Sequence, residues 1–303
     1  MKIVVCEFMD EAALDGVAGV LYDPALVDDR PRLLAALSDA EAVVVRNRTQ
    51  VDAALLAAAP KLRAVGRLGV GLDNIDMEAC AARGVSVHPA TGANTLSVVE
   101  YVVATTLALV RGAFGANAAM LAGEWPRGAL GQGGEIAGRT MGLVGYGAIA
   151  RAVAERVRAL GMTVAWHDPH LTEQGLEGGL ALDDLLAAAD VVSLHVPLTD
   201  GTRHMIDAKA LARMKPTAVL INTARGGVVD EAALAAALKE ERLAGAALDV
   251  FETEPLTAEA AAVFRDCPNL ILTPHIAGVT AEGNVRVSHL TIENVLEALG
   301  RRR

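Results

Sequence analysis

Aromatic side chains are scarce in this chain of 303 residues, since phenylalanine, tryptophan and tyrosine together make up only 3%. An aromatic-rich β-sandwich core is therefore disfavoured. Hydrophobic residues nevertheless reach 52%, so the core must be built from alanine, leucine and valine, which favours a parallel sheet covered by helices. A chain of this length suits two domains better than one small core.

Cysteines are equally few, and their placement excludes a disulfide framework. Cys6, Cys80 and Cys267 are scattered along the chain and show no CxxC spacing. This pattern predicts buried thiols in a reducing cytoplasm. We expect no metal site.

Clustered positive charge and long apolar runs are also missing. The formal net charge is −10, which argues against a nucleic-acid partner because neutralising phosphates requires clustered cations. No segment approaches about 18 uninterrupted apolar residues, so we expect no transmembrane helix and no membrane partner. The apolar run at the start of the chain, 1–7, is too short for a signal peptide.

Strand and helix signals alternate along most of the chain, which predicts parallel sheets with crossover helices. The first alternation occupies about the first hundred residues and has no glycine fingerprint. A long helical region at 94–122 follows, and a second alternation, the size of a full doubly wound domain, starts at Met141. A final helix at about 280–299 could return to the first domain, so we expect that domain to be discontinuous.

A glycine-rich turn opens the second alternation. Gly145, Gly147 and Ala150 form a GxGxxA pattern between the apolar run 141–144 and a helical stretch at 149–160. This is the strand–turn–helix context of a dinucleotide-binding turn. Gly145 would permit the tight turn, and Gly147 would let the backbone approach a pyrophosphate held by the start of the helix.

Asp168 lies 23 residues after Gly145, close to the spacing of the acid that binds the adenosine ribose. A carboxylate there would accept hydrogen bonds from the ribose hydroxyls and repel a 2′-phosphate. The pair therefore favours NAD over NADP. The alternative is that Asp168 is only a turn residue before Pro169.

Three segments of the last third resemble functional loops at strand ends. Arg225 is followed by two glycines and could clamp a carboxylate. Glu254 lies in a carboxylate-rich strand end, and His275 lies between a proline and a small turn. Taken singly, each has an alternative without function: Arg225 as part of a surface salt bridge, Glu254 as a solvated loop acid and His275 as a structural histidine. Together they supply the clamp, the acid/base and the tuning acid that hydride chemistry at a 2-hydroxy acid requires.

These motifs resemble those of the D-isomer-specific 2-hydroxyacid dehydrogenases over nearly the whole chain. The segments that carry the likeness are Leu143–Ala150 with Asp168, His195–Thr199, Asn222–Asp230, Ala247–Pro255 and Thr273–Gly278. The resemblance implies an α/β fold with two Rossmann-like domains, each a doubly wound parallel sheet, and a site in the cleft. The expected domains are a flavodoxin-like substrate domain at 1–94 and 277–303 and an NAD-binding Rossmann domain at 95–276. A homodimer is also implied, with the segment near 94–122 in its interface.

The resemblance also assigns roles to single residues. It implies that Arg225 holds the substrate carboxylate and carbonyl, that His275 is the proton donor in keto-acid reduction, and that Glu254 stabilises the charged imidazole. It implies that the backbone amides of Val70 and Gly71 bind the substrate carboxylate. The implied NAD contacts are Gly145, Gly147, Ala148, Ile149, Asp168, His195, Pro197, Thr223, Ala224, Asp249 and Gly278, with Asp249 meeting the nicotinamide carboxamide.

The segment Val45–Thr49 bears on the choice of hydroxy acid, because the family contacts the distal part of the substrate there. Arg46 and Arg48 indicate a second anionic group, such as the phosphate of 3-phosphoglycerate or the sulfonate of 3-sulfolactate. The opening residues 6–10 are similar to those of sulfolactate dehydrogenases. The alternative is that only one arginine points inward while the other pairs with an acid such as Asp52. A glyoxylate or hydroxypyruvate reductase is the alternative function, since a monoanionic glyoxylate-like substrate would not need both arginines.

One position departs from the family pattern. Many members carry a cation after the second glycine of the turn, where this chain has Ala148. Arg151 could compensate, but a solvated helix charge is the preferred interpretation. A rival from another class is an NAD(H)-sensing corepressor, which has the same motifs but recruits partners instead of turning over substrate.

Overall fold

The computed structural model describes residues 2–301, which form two compact units. The first unit holds the described residues up to Asn94 together with those from Val279 onward, and the second unit is Thr95–Gly278. Residues 1, 302 and 303, which the expected first domain includes, lie outside the described residues. The chain enters the first unit again two residues later than expected.

The first unit contains one parallel sheet with the strand order β2-β1-β3-β4-β5. Its strands are β1 (Ile3–Val5), β2 (Val20–Tyr22), β3 (Ala42–Val45), β4 (Ala64–Arg67) and β5 (Ser86–Pro89). Its helices, numbered along the whole chain, are α1 (Arg30–Ala36), α2 (Ala53–Ala58), α3 (Met77–Ala82) and α12 (Ala281–Ala298), with 3₁₀ turns at Glu11–Leu14 and Pro24–Asp28. The order reverses between β1 and β3, which makes their carboxyl ends the topological switch point of this sheet.

Both faces of the first sheet are buried, which explains its continuous apolar strands. Successive residues of a strand point to opposite faces: Val43 packs in the core under α1–α3, and Val44 in the core under α12. Helix α12 lies close to β4 because Gly66 has no side chain. A Cβ atom at Gly66 would come within 2.5 Å of the Val295 side chain. The final helix therefore belongs to the first sheet, as expected.

The second unit contains a six-stranded parallel sheet with the order β7-β6-β8-β9-β10-β11. Its strands are β6 (Thr140–Val144), β7 (Thr163–His167), β8 (Val191–Leu194), β9 (Val219–Asn222), β10 (Gly245–Leu248) and β11 (Leu270–Leu272). Its helices are α4 (Thr95–Arg111), α5 (Asn117–Leu121), α6 (Arg127–Leu130), α7 (Ala148–Ala159), α8 (Pro169–Glu173), α9 (Leu182–Ala188), α10 (Ala208–Arg213) and α11 (Glu231–Lys239), with a 3₁₀ turn at Ala260–Phe264. The switch point lies between β6 and β8, so the glycine-rich turn after β6 is at the crevice where such sheets bind ligands.

The six strands of this sheet were expected, and helices cover both of its faces. Leu143 packs against α4 and α7, whereas Val144 packs against α9–α11. A single helical region at 94–122 is wrong, because α4 ends at Arg111 and Gly112 takes a positive φ of 63°. Glycine in this left-handed conformation is a common helix stop.

Short elements were harder to predict. The edge strand β2 has only three residues, none of them buried, and a run this short shows no clear period in the sequence. The one-turn helix α8 begins at Pro169 and was missed for the same reason. Among residues 2–301, no helix is both long and apolar enough to cross a membrane.

Candidate active site

Every predicted site residue lies in a segment that follows the carboxyl end of a parallel strand of its own unit. In the first unit, Arg46 and Arg48 follow β3, and Val70 and Gly71 follow β4. In the second unit, Gly145, Gly147, Ala148 and Ile149 follow β6, Asp168 follows β7, and His195 and Pro197 follow β8. Thr223, Ala224 and Arg225 follow β9, Asp249 and Glu254 follow β10, and His275 and Gly278 follow β11. Parallel strands place all these segments at one edge of each sheet.

The two glycines of the turn differ in backbone conformation and in the space around them. Gly145 has a φ of +83°, and a Cβ atom there would lie 2.7 Å from the carbonyl oxygen of His195. Gly147 has an ordinary φ of −76°, and a Cβ atom there would meet nothing within 4 Å. Gly145 is therefore required by the fold, whereas Gly147 leaves open space above the start of α7.

The start of α7 is suited to an anion. Gly147 is its N-cap and provides no side-chain hydrogen bond, whereas aspartate side chains cap α1, α2, α3, α8, α10 and α11. The first amides of a 12-residue helix thus keep their hydrogen-bonding capacity and the positive end of the helix dipole. After β9, the Thr223 hydroxyl oxygen is buried without a hydrogen-bond partner in the described part of the chain. Open space at an uncapped helix start and an orphaned buried hydroxyl both fit a dinucleotide.

Asp168 connects the turn to the next strand. Its Oδ2 accepts a hydrogen bond from the Tyr146 amide at 2.9 Å, and its Oδ1 accepts one from the Leu171 amide at 3.2 Å as the N-cap of α8. Asp168 is therefore a turn residue as well. Since each carboxylate oxygen has two lone pairs, one on each remains for ribose hydroxyls.

Arg151 is folded back onto the glycine turn. Its Nε donates to the Tyr146 carbonyl oxygen at 3.0 Å, and its guanidinium lies 5.3 Å from the centroid of the Tyr146 ring. That ring stacks on Trp166 at 4.9 Å. The preferred interpretation of Arg151 as a solvated helix charge is therefore incomplete, because a cation is held beside the turn in which Ala148 lacks one.

His275 and Glu254 form the ion pair expected of an acid/base group and its partner. His275 Nδ1 lies 2.7 Å from Glu254 Oε2, with the side chains 41% and 33% exposed. Glu254 Oε1 also accepts a hydrogen bond from the Phe251 amide at 3.0 Å. Burial would raise the pKa of Glu254, but the hydrogen bonds from His275 and Phe251 outweigh it and hold the pKa below its ordinary value of 4.5. Glu254 is thus ionised across the neutral range.

Asp249 shapes the loop that carries His275. It is 1% exposed, and its carboxylate accepts hydrogen bonds from the Thr273 hydroxyl at 2.6 Å and from the Ile276 and Ala277 amides at 2.8 Å each. Its carbonyl oxygen accepts from the His275 amide, which supports the positive φ of 55° at His275. Only Oδ2 keeps a lone pair for a nicotinamide carboxamide.

Arg225 lies in the loop after β9, whose backbone is held by the side chain of Asn222. The Asn222 side chain, 1% exposed, donates to the Arg225 carbonyl oxygen at 2.9 Å and accepts from the Ala224 amide at 3.0 Å. A Cβ atom at Gly226 would lie 1.8 Å from the Phe251 carbonyl oxygen, so this loop packs directly on the one that carries Glu254. The Arg225 charge accordingly helps to lower the pKa of Glu254, although its effect is smaller than those of burial, which raises this pKa, and of the hydrogen bonds, which lower it.

His195 differs from His275 in its surroundings. Its Nε2 lies 3.0 Å from the Ser193 hydroxyl. Burial lowers the pKa of His195 to about 4. It is therefore neutral at physiological pH and is not a proton donor of the kind that His275 can be.

The two arginines of the first unit are placed differently. Arg46 is half-buried and donates to Asn284 Oδ1 at 2.8 Å. Arg48 is exposed and its guanidinium pairs with Asp28. Pairing of one arginine with an acid was the alternative considered above, but the acid is Asp28, since Arg30 occupies Asp52.

The loop after β4 offers backbone donors. The amides of Val70 and Gly71 have no acceptor among the described residues, as a carboxylate-binding loop requires. The sequence analysis assigned no role to four residues whose side chains hydrogen-bond within or beside these loops: Glu7, Asn74, Tyr101 and Thr273. Glu7, an acid two residues after a buried strand, carried a usable signal, whereas Tyr101 lies within a helix and carried none.

A family model described as "D-isomer specific 2-hydroxyacid dehydrogenase, NAD binding domain" matches residues 103–277. The chain is 55% identical to an (S)-sulfolactate dehydrogenase of Chromohalobacter salexigens, with 98% of each chain covered. It is 45% identical to a D-3-phosphoglycerate dehydrogenase of Mycobacterium bovis over 89% of its own length and 51% of that protein. Among solved structures, the TT0316 protein of Thermus thermophilus superimposes with a TM-score of 0.87 at 33% identity, covering 100% of this chain and 98% of that one.

Proposed function

The chain belongs to the D-isomer-specific 2-hydroxyacid dehydrogenase family, and from that membership we propose that its substrate is a hydroxy acid with a second anionic group, of the 3-sulfolactate type. The protein is an NAD-dependent oxidoreductase that interconverts a 2-hydroxy acid and its 2-keto acid. The observation that carries the reaction is the His275–Glu254 pair at 2.7 Å.

The second unit would hold NAD through the start of α7, Asp168 and Thr223. When bound, the nicotinamide accepts or supplies a hydride at C2 of the substrate. In reduction, protonated His275 donates its proton to the carbonyl oxygen, and in oxidation neutral His275 takes the hydroxyl proton. The overall change is hydroxy acid plus NAD⁺ to keto acid, NADH and one proton.

Charge placement supports the remaining roles. The Arg225 guanidinium binds the substrate carboxylate and polarises the carbonyl. In the first unit, the backbone amides of Val70 and Gly71 are the groups that would bind a carboxylate. Glu254 remains ionised and stabilises the imidazolium form of His275.

We assign the second anionic group to Arg46 and to Arg48, which would release its exposed pair with Asp28 to bind the anion. The relative at 55% identity is named for (S)-sulfolactate. In this compound the sulfonate-bearing carbon outranks the carboxyl group in the priority rules, so its S descriptor corresponds to the spatial arrangement of D-lactate. D-3-Phosphoglycerate is the second candidate, supported by the relatives of that name.

Steady-state assays over a panel of acids test this proposal. We expect the highest kcat/KM with (S)-3-sulfolactate, a lower value with D-3-phosphoglycerate, and poor turnover of D-glycerate and D-lactate. Arg48→Ala should raise KM for (S)-3-sulfolactate about tenfold, the order expected when one charge-assisted hydrogen bond is lost, and leave D-lactate unchanged. An equal response of both acids would exclude the second anion site. No turnover of any 2-keto acid with NADH would favour the corepressor class instead.

Partners and location follow the same proposal. We expect a homodimer with the segment near 94–122 in its interface, where exposed apolar side chains such as Phe114 and Leu121 would be covered. The three cysteines are free, which supports a reducing cytoplasm as the location. The acidic net charge of −10 supports the expectation of no nucleic-acid partner.

A further inference from the structure

The loop that carries Arg46 and Arg48 is held from one side by Glu7. This residue follows β1 and is 4% exposed. Its carboxylate accepts hydrogen bonds from the backbone amides of Arg46 at 2.8 Å, Thr49 at 2.9 Å and Arg48 at 3.3 Å. The amide hydrogens of the turn therefore converge on one buried acid.

The carbonyl oxygens of the same loop are held by Asn74. Its side-chain nitrogen donates to the Thr49 carbonyl oxygen at 2.6 Å and to the Arg46 carbonyl oxygen at 3.4 Å, and the residue is 7% exposed. A parallel bridge between Val51 and Ile75 continues the connection. Because Asn74 lies three residues after Gly71, the two loops assigned to the substrate are bound to each other.

The charge of Glu7 also supports Arg46. Burial lowers the pKa of Arg46, and the Glu7 carboxylate opposes that shift. A buried carboxylate is costly unless its oxygens are hydrogen-bonded, and here three amides satisfy it. The acid and the loop are brought together because β1 and β3 are neighbours at the switch point of the first sheet.

We propose that Glu7 and Asn74 are positioning residues that fix Arg46 and Arg48 against Val70 and Gly71, and so set the preference for hydroxy acids with a second anionic group. This inference rests on the proposed function. Neither residue touches the reacting atoms, since both act through the loop. We call the pair the Glu7–Asn74 clamp.

Glu7→Gln is the first test, because it keeps the shape but replaces one acceptor oxygen with a donor facing the loop amides. We expect KM for (S)-3-sulfolactate to rise about tenfold, the order of a lost hydrogen bond to a charged group, with kcat within about twofold. KM for D-lactate and the Kd for NADH, measured by fluorescence titration, should not change. Asn74→Ser should have the same effect, and it replaces Glu7→Gln in the test if that variant does not fold.

Asp207→Ala is the matched control. Asp207 is a partly exposed N-cap of α10 that accepts two amide hydrogen bonds in the second unit, so its loss mimics the removal of an acid without touching the clamp. The ratio of kcat/KM for (S)-3-sulfolactate to that for D-lactate should stay at the wild-type value.

The outcomes separate this inference from the proposed function. Suppose that the wild-type enzyme prefers (S)-3-sulfolactate and that Glu7→Gln lowers kcat/KM for (S)-3-sulfolactate and for D-lactate by the same factor. The clamp would then have only a structural role, and the inference alone would be overturned. A wild-type enzyme without preference for a second anion would overturn the proposed function, and the specificity role of the clamp with it.

Discussion

At the scale of single residues, the site is governed by how each acid is satisfied. Glu254 is partly exposed and its Oε2 lies 2.7 Å from an imidazole nitrogen, whereas Asp249 is buried and accepts three hydrogen bonds from the loop that carries His275. Asp249 receives the Thr273 hydroxyl hydrogen, so Tyr101, 2.6 Å from that hydroxyl, must be the donor to it. Glu254 thus remains available to pair with His275, the proposed acid/base, while Asp249 holds the loop that carries this histidine.

Glu254→Gln tests the ion pair. Since the carboxylate stabilises the imidazolium form, we expect kcat for reduction to fall about tenfold or more, part of the roughly 10²–10⁴-fold that acid/base catalysis contributes. The pH above which the reductive rate declines should move to lower values. Measurement of kcat against pH for wild type and variant gives both quantities. An unchanged pH profile would contradict the assigned role of Glu254.

The same substitution has a signed effect on stability. The pKa of Glu254 is depressed in the folded protein, so its contribution is present above pH 4.5, the ordinary value, and is lost as pH falls through the folded value. We expect about 1 kcal/mol or less, because the pair is about a third exposed. Thermal unfolding of the two proteins should differ near neutral pH and converge in acid.

At the scale of elements, each functional segment is short and lies directly after a buried strand. The glycine turn is the clearest case, since β6 ends at Val144 and α7 begins at Ala148. Gly145 is fixed by its positive φ and by the His195 carbonyl, while Gly147 faces open space. A motif that forms one unit in the sequence therefore contains one glycine that the fold requires and one that faces open space.

Alanine at each glycine separates these roles. Gly145→Ala should destabilise the protein by about 1–3 kcal/mol, because it forces a side chain into the left-handed region and against a carbonyl. Gly147→Ala should leave the melting temperature unchanged but raise the Kd for NADH about tenfold, because its methyl group occupies the space above the helix start. Thermal unfolding and NADH titration distinguish them. Wild-type NADH affinity in Gly147→Ala would show that the cofactor does not use this space.

At the scale of the whole molecule, the distribution of apolar surface is uneven. The cores of both units use aliphatic side chains on both faces of each sheet. Around α5 and α6, by contrast, Leu121 is 90% and Trp125 is 74% exposed. One of the few tryptophans of an aromatic-poor chain is thus placed at the surface, which favours an interface between copies of the chain.

Paired substitution tests the expected homodimer. Leu121→Ser with Trp125→Ser should yield a monomer in size-exclusion chromatography with light scattering, since loss of two large apolar anchors removes much of the association energy. Leu160→Ser, at a residue 43% exposed near the end of α7, should remain a dimer. A wild-type protein that is monomeric at micromolar concentration would contradict the expectation itself.

The sequence alone determined the fold class, the two-domain organisation with its returning helix and the cofactor, because these depend on local order, and it supplied the residues that we propose for the reaction. Residues that directly follow a buried strand, such as the glycine turn, Asp168 and His275, lie at the carboxyl edge of the parallel sheet. This placement does not depend on the order of the strands in the sheet. The tertiary structure decided which groups meet. Glu7 reaches amides about forty residues away only because β1 lies beside β3. Arg48 pairs with Asp28 instead of Asp52, and Asp249 accepts hydrogen bonds from the loop that carries His275. Such contacts depend on strand order and on which of several nearby acids pairs with a given arginine, and neither produces a periodic pattern in the sequence.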